Sequence, residues 1–314
     1  MSFRILVTGA SGFVGSALCS ALAAAGHSVR AASRKPGSMM AGEHIEWMQL
    51  PDLAESVDWA PFVAGMDIVI HLAGIAHRRG SYSGRYDRVN REATVELVRA
   101  CRNQDIKRMI FMSSIGAQTG SASDQVATEL DEPKPVNEYG RTKLAAEIAI
   151  QRSGVPYTIL RPVIVFGPGV RANFALLARL ASLPIPLPFG AFDNQRSLLS
   201  IDNLVQAVMF CLSSPQTRNQ VFIVCDPQPI TVAEILATLR RAAGRPAGLV
   251  PIPPFVIKAV LKVTGRSSLW NQIGRPLVAS STKLQQSGWK PKLETRQALD
   301  AMVRARATPS GARH

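Results

Sequence analysis

Tyr139 and Lys143 stand four residues apart in the stretch EYGRTKLAAE. On a helix that spacing puts both side chains on one face. A free tyrosine titrates near pH ~10 and is a poor acid/base at neutral pH. A neighbouring ammonium favours the phenolate, drawing the value toward the working range. A hydroxyl beside the pair would hold the reacting oxygen. Ser113 and Ser114 offer one at the end of the apolar run RMIFMSS, which reads as a strand. Strand side chains alternate faces, so one of the two serines points into the site. The spacing does not say which.

A second constellation is Thr8-Gly9-Ala10-Ser11-Gly12-Phe13-Val14-Gly15, between a short apolar run and an Ala/Leu-rich segment. Gly9 permits a tight turn, Gly12 lets backbone approach a pyrophosphate, and Gly15 lets a helix pack close to the strand. The phosphates would sit on the helix N-terminus, among free N–H groups. The next strand ends in Ser33-Arg34-Lys35. An acid there would bond the adenosine ribose hydroxyls and repel a 2′-phosphate, whereas two cations and a hydroxyl suit that phosphate. NADP is therefore expected over NAD, with NAD possible.

The elements that must position these residues follow from periodicity. Strands are expected at 3–8, 28–33, 44–49, 67–73, 108–113 and 157–161, with a helix over 138–153. Val89, Ala93, Leu97 and Cys101 repeat every four residues and mark one buried helix stripe. Continuous apolar strands alternating with helices predict an α/β fold, a doubly wound parallel Rossmann sheet. After Arg161 the rhythm breaks at two Pro-rich connectors, 184–188 and 251–254. Residues 197–201, a helix from 202, and 220–225 read as a return to the sheet. Thr231 and Glu234 have capping-box spacing before a helix ending at Gly244. The expected organisation is a dinucleotide-binding domain of 1–165 plus about 197–226, a smaller discontinuous substrate lobe of about 166–196 plus 227–306, and a loose tail, 307–314.

Composition narrows the partners. Apolar content of 46% with 18% charged residues suits a folded chain with a large core. A strand starting at Phe3 leaves no room for a signal peptide, and no apolar run approaches the ~20 residues of a membrane span. A cytoplasmic protein with no integral membrane segment is expected. Cys19, Cys101, Cys211 and Cys225 are scattered through apolar patterns and read as buried thiols, with no metal-ligand spacing. A net charge of +14 suits anionic small molecules, nucleic acid or an acidic membrane surface. Dispersed charge and 6% aromatics argue against nucleic acid. His71 reads as core; His77, Arg78 and Arg79 read as a loop near the cofactor edge.

Together TGASGFVG, DIVIHLAG, RVN, MSSIG, YGRTK and LRPVIVFGPG resemble the extended short-chain dehydrogenase/reductases, the NAD(P)-dependent epimerase/dehydratase family. The likeness runs to about residue 300 and, within the family, is nearest bacterial UDP-sugar 4-epimerases and 4-reductases. The resemblance implies Ser114, rather than Ser113, as the catalytic serine beside Tyr139 and Lys143. It implies that Asp52 and Leu53 contact the adenine, that Leu72, Ala73 and Gly74 wall the cofactor ribose, and that Asn90 supports the active-site helix. Asn173 and Arg196 match positions that hold a nucleotide diphosphate, for which a bidentate guanidinium is well suited. Pro162-Val163-Ile164 departs from the epimerase pattern, and with Ser33-Arg34 it shifts weight toward net reduction. A homodimer acting on a UDP-sugar at C4 is expected. A hydroxysteroid or other apolar-alcohol dehydrogenase is the alternative, and a cofactor-sensing scaffold the least favoured reading.

Overall fold

Ile5, Leu6, Val7 and Thr8 are all 0% exposed. A strand that apolar must be covered on both faces, and the chain supplies helices to do so. This computed structural model describes residues 2–35, 42–76, 83–120, 122–170 and 173–307. Its strands are β1 (Arg4–Thr8), β2 (Ser28–Ser33), β3 (Ile45–Gln49), β4 (Ile68–His71), β5 (Arg108–Met112), β6 (Tyr157–Pro162), β7 (Ile164–Phe166), β8 (Gln195–Arg196), β9 (Leu198–Ser200), β10 (Gln220–Val224) and β11 (Ile230–Thr231). Seven of them form one sheet in the order β10-β6-β5-β4-β1-β2-β3. Every pairing in it is parallel. Strand order reverses at β1, which opens a crevice beyond its carboxyl end, where ligands of such sheets bind.

The helices Phe13–Ala24 and Ile201–Ser213 cover one face, and Ala93–Asn103 and Glu138–Gln151 the other. Val89, Ala93, Leu97 and Cys101 are each at most 4% exposed, as their four-residue repeat requires. The stripe is not one regular helix, however. Asp87–Glu92 is a π-helical turn that leads into Ala93–Asn103, and such turns recur where a side chain must be re-aimed. The side chain it carries is Asn90.

A third apolar cluster lies under the later segments, around Phe166, Phe174, Phe192, Leu236 and Leu299. Thr231 and Glu234 form the expected capping box on Val232–Ala242. Only β10 of the later strands joins the large sheet. Residues 197–201, read as part of that return, instead contain β9, which pairs with β7 in a separate two-stranded sheet. The turn at Pro162–Val163 carries β7 away from β6, and its partner goes with it. All four cysteines are buried free thiols. Among the described residues no helix is long and apolar enough to cross a membrane. His77, Arg78, Arg79 and the tail beyond 307 lie outside the described residues, as does the side chain of Asn173.

Candidate active site

The crevice is floored by glycines that have no room for a side chain. Gly9 has φ +71°, and a Cβ there would lie 2.8 Å from the Ala73 nitrogen. One on Gly15 would lie 2.3 Å from the Gly9 oxygen. The turn after β1 is thus pressed against the end of β4 on one side and its own helix on the other. Gly12 is the N-cap of Phe13–Ala24; no side chain caps that helix and its first turn holds no acid. Ser11 and Gly12 are exposed, Phe13 and Val14 half-buried. An uncapped helix start with accessible backbone is a site for an anion, so these residues fit a dinucleotide pyrophosphate.

Gly74 joins this wall to the proton-transfer group. A Cβ on it would lie 2.9 Å from Asn90 Oδ1 and 3.4 Å from Lys143 Nζ. Asn90 Oδ1 accepts from Ile75 N (2.9 Å), while its amide donates to Ile75 O (3.1 Å) and Thr142 Oγ1 (3.4 Å). One side chain therefore ties the end of β4 to the helix that carries Tyr139 and Lys143.

That helix, Glu138–Gln151, starts at Asn137, whose Oδ1 accepts from Gly140 N at 2.8 Å. Gly140 is pinned close, since a Cβ there would lie 2.2 Å from the Gly116 oxygen. The contact brings Tyr139 against the loop after β5, where Tyr139 and Ser114 both flank Gly116: a Cβ there would lie 3.7 Å from the Tyr139 ring and 3.3 Å from Ser114 Oγ. Ser114 Oγ also accepts from Gly116 N at 3.0 Å. The two serines separate cleanly. Ser114 is half-buried on the Tyr139 side, while Ser113 is 4% exposed and donates to Glu147 on the other.

Electrostatics differ from the expectation for Tyr139. Burial pushes its phenol above the ordinary tyrosine value, the Ser114 hydroxyl pulls it down, and the Tyr86 phenol pushes it up again. Lys143 is itself driven down to about 8 by burial, with Glu147 opposing. Its Nζ donates to Met112 O at 2.9 Å and lies 4.7 Å from the Phe111 ring centroid. In the protein alone Tyr139 is therefore held protonated, ready to give a proton rather than take one.

His71 is 0% exposed and lowered to about 3 by burial and the Lys143 charge. Thr94 Oγ1 donates to Asn90 O (2.8 Å), so it accepts from His71 Nε2 (3.1 Å). Thr8 Oγ1 accepts from Ala73 N (3.2 Å) and donates to His71 Nδ1 (2.7 Å). A neutral imidazole thus links the glycine turn to Asn90.

Other expected residues are placed differently. The Ser33 hydroxyl donates to Lys35 O (2.7 Å) and accepts from Trp47 Nε1 (3.1 Å), at 2% exposure. It is spent on the fold, because β2 ends beneath Trp47, and among the described residues there Arg34 and Lys35 are exposed. Asp52 is exposed and pairs with Arg85 at 3.4 Å, whereas Leu53 is buried. Arg196, in β8, is 3% exposed; its Nη1 donates to Arg275 O at 2.6 Å, and burial lowers it to about 10. Asn173 opens the helix Asn173–Ala181.

Sequence reasoning missed the support behind the helix. Glu147 pairs with Arg161, and Arg161 also donates to Gln118. The signal was present, since Glu147 continues the four-residue spacing of Tyr139 and Lys143.

A parallel sheet with a switch point at β1, a glycine cradle and a Tyr–Ser–Lys cluster are the features of a dinucleotide-dependent enzyme of the extended short-chain dehydrogenase/reductase type. Residues 5–225 match the NAD dependent epimerase/dehydratase family, and the chain belongs to it. It is similar to a UDP-glucose 4-epimerase of Vibrio cholerae, 34% identical over 303 residues that cover 93% of this chain and 92% of the relative. Among solved structures, MoeE5 in complex with UDP-glucuronic acid and NAD is 24% identical with a TM-score of 0.76, covering 97% of this chain and 100% of that one. RMD from Pseudomonas aeruginosa, complexed with NADPH, is 25% identical with a TM-score of 0.69, covering 96% and 98%.

Proposed function

We propose that this enzyme moves hydride at C4 of a UDP-hexose, as a 4-keto-reductase or 4-epimerase, with NADP(H) preferred over NAD(H). The observation that carries the reading is the placing of Tyr139 and Ser114 against Gly116, with Lys143 of the Tyr139 helix lying beside the Gly74 wall together with Asn90. The Vibrio relative's name and the UDP-sugar bound in MoeE5 support the substrate class. Exposed Arg34 and Lys35, with no acid at the end of β2, support the cofactor preference.

When bound, the nicotinamide supplies or accepts the hydride at C4. In the reductive direction the Tyr139 hydroxyl gives its proton to the C4 oxygen, and the C=O bond becomes C–O–H. Ser114 holds that oxygen by a hydrogen bond. The Lys143 ammonium stabilises the phenolate left on Tyr139. Oxidation runs the same proton back. Ser11, Phe13, Val14 and Gly15 bind the pyrophosphate through backbone N–H groups, while Gly9 and Gly12 shape the turn, the Gly12 N–H donating to Gly9 O at 2.9 Å. Arg196, with Asn173, meets the sugar nucleotide's diphosphate.

The experiment offers UDP-hexoses and a UDP-4-keto-hexose with NADPH or NADH, reading nicotinamide absorbance and the C4 configuration by NMR. Reduction consumes reduced cofactor in proportion to product. Epimerisation inverts C4 with no net change in absorbance. Loss of neither substrate class under either cofactor overturns the reading.

A further inference from the structure

The proposed chemistry leaves the +14 charge and one apolar surface unused. Between Glu234 and Glu294 the chain has no acidic residue and ten cations. Of these Arg240 is buried on backbone carbonyls, Arg275 pairs with Asp124 and Lys283 donates to Val221 O, leaving Arg241, Arg245, Lys258, Lys262, Arg266, Lys290 and Lys292. In the middle of this stretch lies the helix Pro254–Val263, none of whose residues is buried. Ile257 packs on the lobe's apolar cluster, and the helix rests on Ser267–Ile273, with Lys258 Nζ 5.7 Å from the Trp270 ring centroid.

The opposite side is apolar and faces out. Phe255 is 71% exposed, Val260 53% and Val263 88%, with Val256 partly so. At 3.6 residues per turn these four and Ala259 form one stripe, with Lys258 and Lys262 beside it. Leu183, Ile185 and Val250 are also exposed, on segments joined by the Val250 N→Leu187 O bond that lead into the helix. Seven of the eleven exposed large hydrophobics among the described residues thus belong to this one region. The other four are Val126, Leu130 and Val136, on the loop before the active-site helix, and Ile148; the larger concentration here, on a helix face beside lysines, marks a contact surface.

We infer that this face docks on an anionic phospholipid bilayer, with the apolar stripe entering the headgroup boundary and the flanking cations meeting lipid phosphates. An apolar stripe beside lysines, in a stretch with no acid to repel the lipid, is the pattern of an interfacial helix. Ten residues rise only about 15 Å, half a bilayer's hydrocarbon thickness, so the helix lies on the surface and does not span. Nucleic acid would meet the cations but offers nothing to a stripe of valines. A second copy of the chain would place like charge against like charge.

The test is co-sedimentation of the full chain with phosphatidylcholine vesicles, with and without phosphatidylglycerol, at low and moderate salt. We expect binding to the anionic vesicles that weakens with salt. Replacing Phe255, Val260 and Val263 together by serine should reduce it about tenfold or more, as should Lys258→Glu with Lys262→Glu. All five side chains are exposed, so NADP(H) binding should stay unchanged and show that the variants fold; the melting temperature should hold for the serine variant and fall slightly for the glutamate variant, which loses the Lys258–Trp270 contact. A chain that stays in the supernatant with anionic vesicles at low salt overturns the inference. So does equal vesicle binding by the serine variant. If size-exclusion chromatography shows the serine variant losing an oligomer that the wild type forms, and neither binds vesicles, the face is a self-association surface and the inference falls.

Discussion

Glu147 and Arg161 form an ion pair, 2.5 Å between Oε2 and Nη2, with side chains only 1% and 6% exposed. Glu147 lies one helical turn beyond Lys143, and Arg161 lies on β6, so the pair clamps the active-site helix to the sheet. Ser113 and Gln118 complete it from the β5 side. Desolvating two charges is costly, and removing one leaves the other buried alone. Glu147→Gln or Arg161→Met should each cost about 3–5 kcal/mol. Replacing both by apolar residues should cost less than the sum. Urea unfolding of the two single variants and the double variant checks this; additive losses would show that the groups do not act as a pair.

Tyr139 and Lys143 set the activity and its pH dependence. Tyr139→Phe should keep cofactor affinity and lower turnover about 10²- to 10⁴-fold, the range for one general acid/base. Wild-type turnover in a folded variant would sink the assignment. Lys143 is lowered to about 8 by burial. Its charge is therefore lost as pH rises through about 8, and cofactor binding to the protein alone should weaken across that step. The folded state binds fewer protons than the unfolded one between about 8 and the ordinary lysine value. Charged Lys143 thus destabilises the empty protein at neutral pH, and Lys143→Met should raise the melting temperature while abolishing turnover. Calorimetric pH series on both proteins test the two limbs.

His71 makes a prediction of the same sign at low pH. Its pKa falls from 6.5 unfolded to about 3 folded. Between those values the unfolded chain holds the extra proton, so stability is full above 6.5 and is lost as pH falls toward 3. The slope for one proton is about 1.4 kcal/mol per pH unit. Mutation to glutamine should flatten that slope without adding a limb to the activity profile between pH 5 and 8. A kinetic limb in the wild type that vanishes in His71→Gln would make the imidazole catalytic.

Much of this site was legible because its chemistry is local in the chain. The glycine turn, its helix, and Tyr139 with Lys143 each declare themselves within a dozen residues. What was illegible depends on distant partners. Arg161 sits beside a proline at a strand end and reads as a boundary cation until Glu147 and Gln118 arrive from other elements. Ser33 looks free until Trp47 of the neighbouring strand takes its oxygen. The π-turn at Asn90 leaves the apolar repeat of its helix intact, so periodicity passes over it. β9 has the composition of a sheet strand, and only the turn after Pro162 decides which sheet receives it.

Arg34 tests the cofactor preference. It is exposed at the end of β2, where a 2′-phosphate would come closest. NADP(H) should bind more tightly than NAD(H), and Arg34→Asp should erase or reverse the difference. Since Ser33 is committed to Lys35 and Trp47, Ser33→Ala should change the preference little. Calorimetry with both cofactors reads all three proteins. A clear wild-type preference for NAD would show the cations to be decorative and would favour epimerisation, which recycles one bound cofactor.

Arg196 separates sugar nucleotides from apolar alcohols. It is a buried guanidinium, lowered to about 10 by desolvation and anchored through Arg275 O. A diphosphate brings about two negative charges and needs several donors, and charge-assisted hydrogen bonds are worth roughly 1.5–3 kcal/mol each. Arg196→Gln keeps much of the volume and removes the charge. It should weaken UDP binding about tenfold to a hundredfold and leave NADP binding nearly unchanged. Arg196→Lys should recover part of the loss, because it restores charge but not the planar fork. Plain UDP should bind the wild type and compete with substrate, as isothermal titration and inhibition kinetics would show. If UDP, TDP and their sugars all fail to bind while an apolar alcohol is oxidised, the nucleotide-sugar reading is wrong although the dehydrogenase fold stands. If UDP binds and Arg196→Gln binds it equally well, the ligand class survives and the diphosphate is held by other residues.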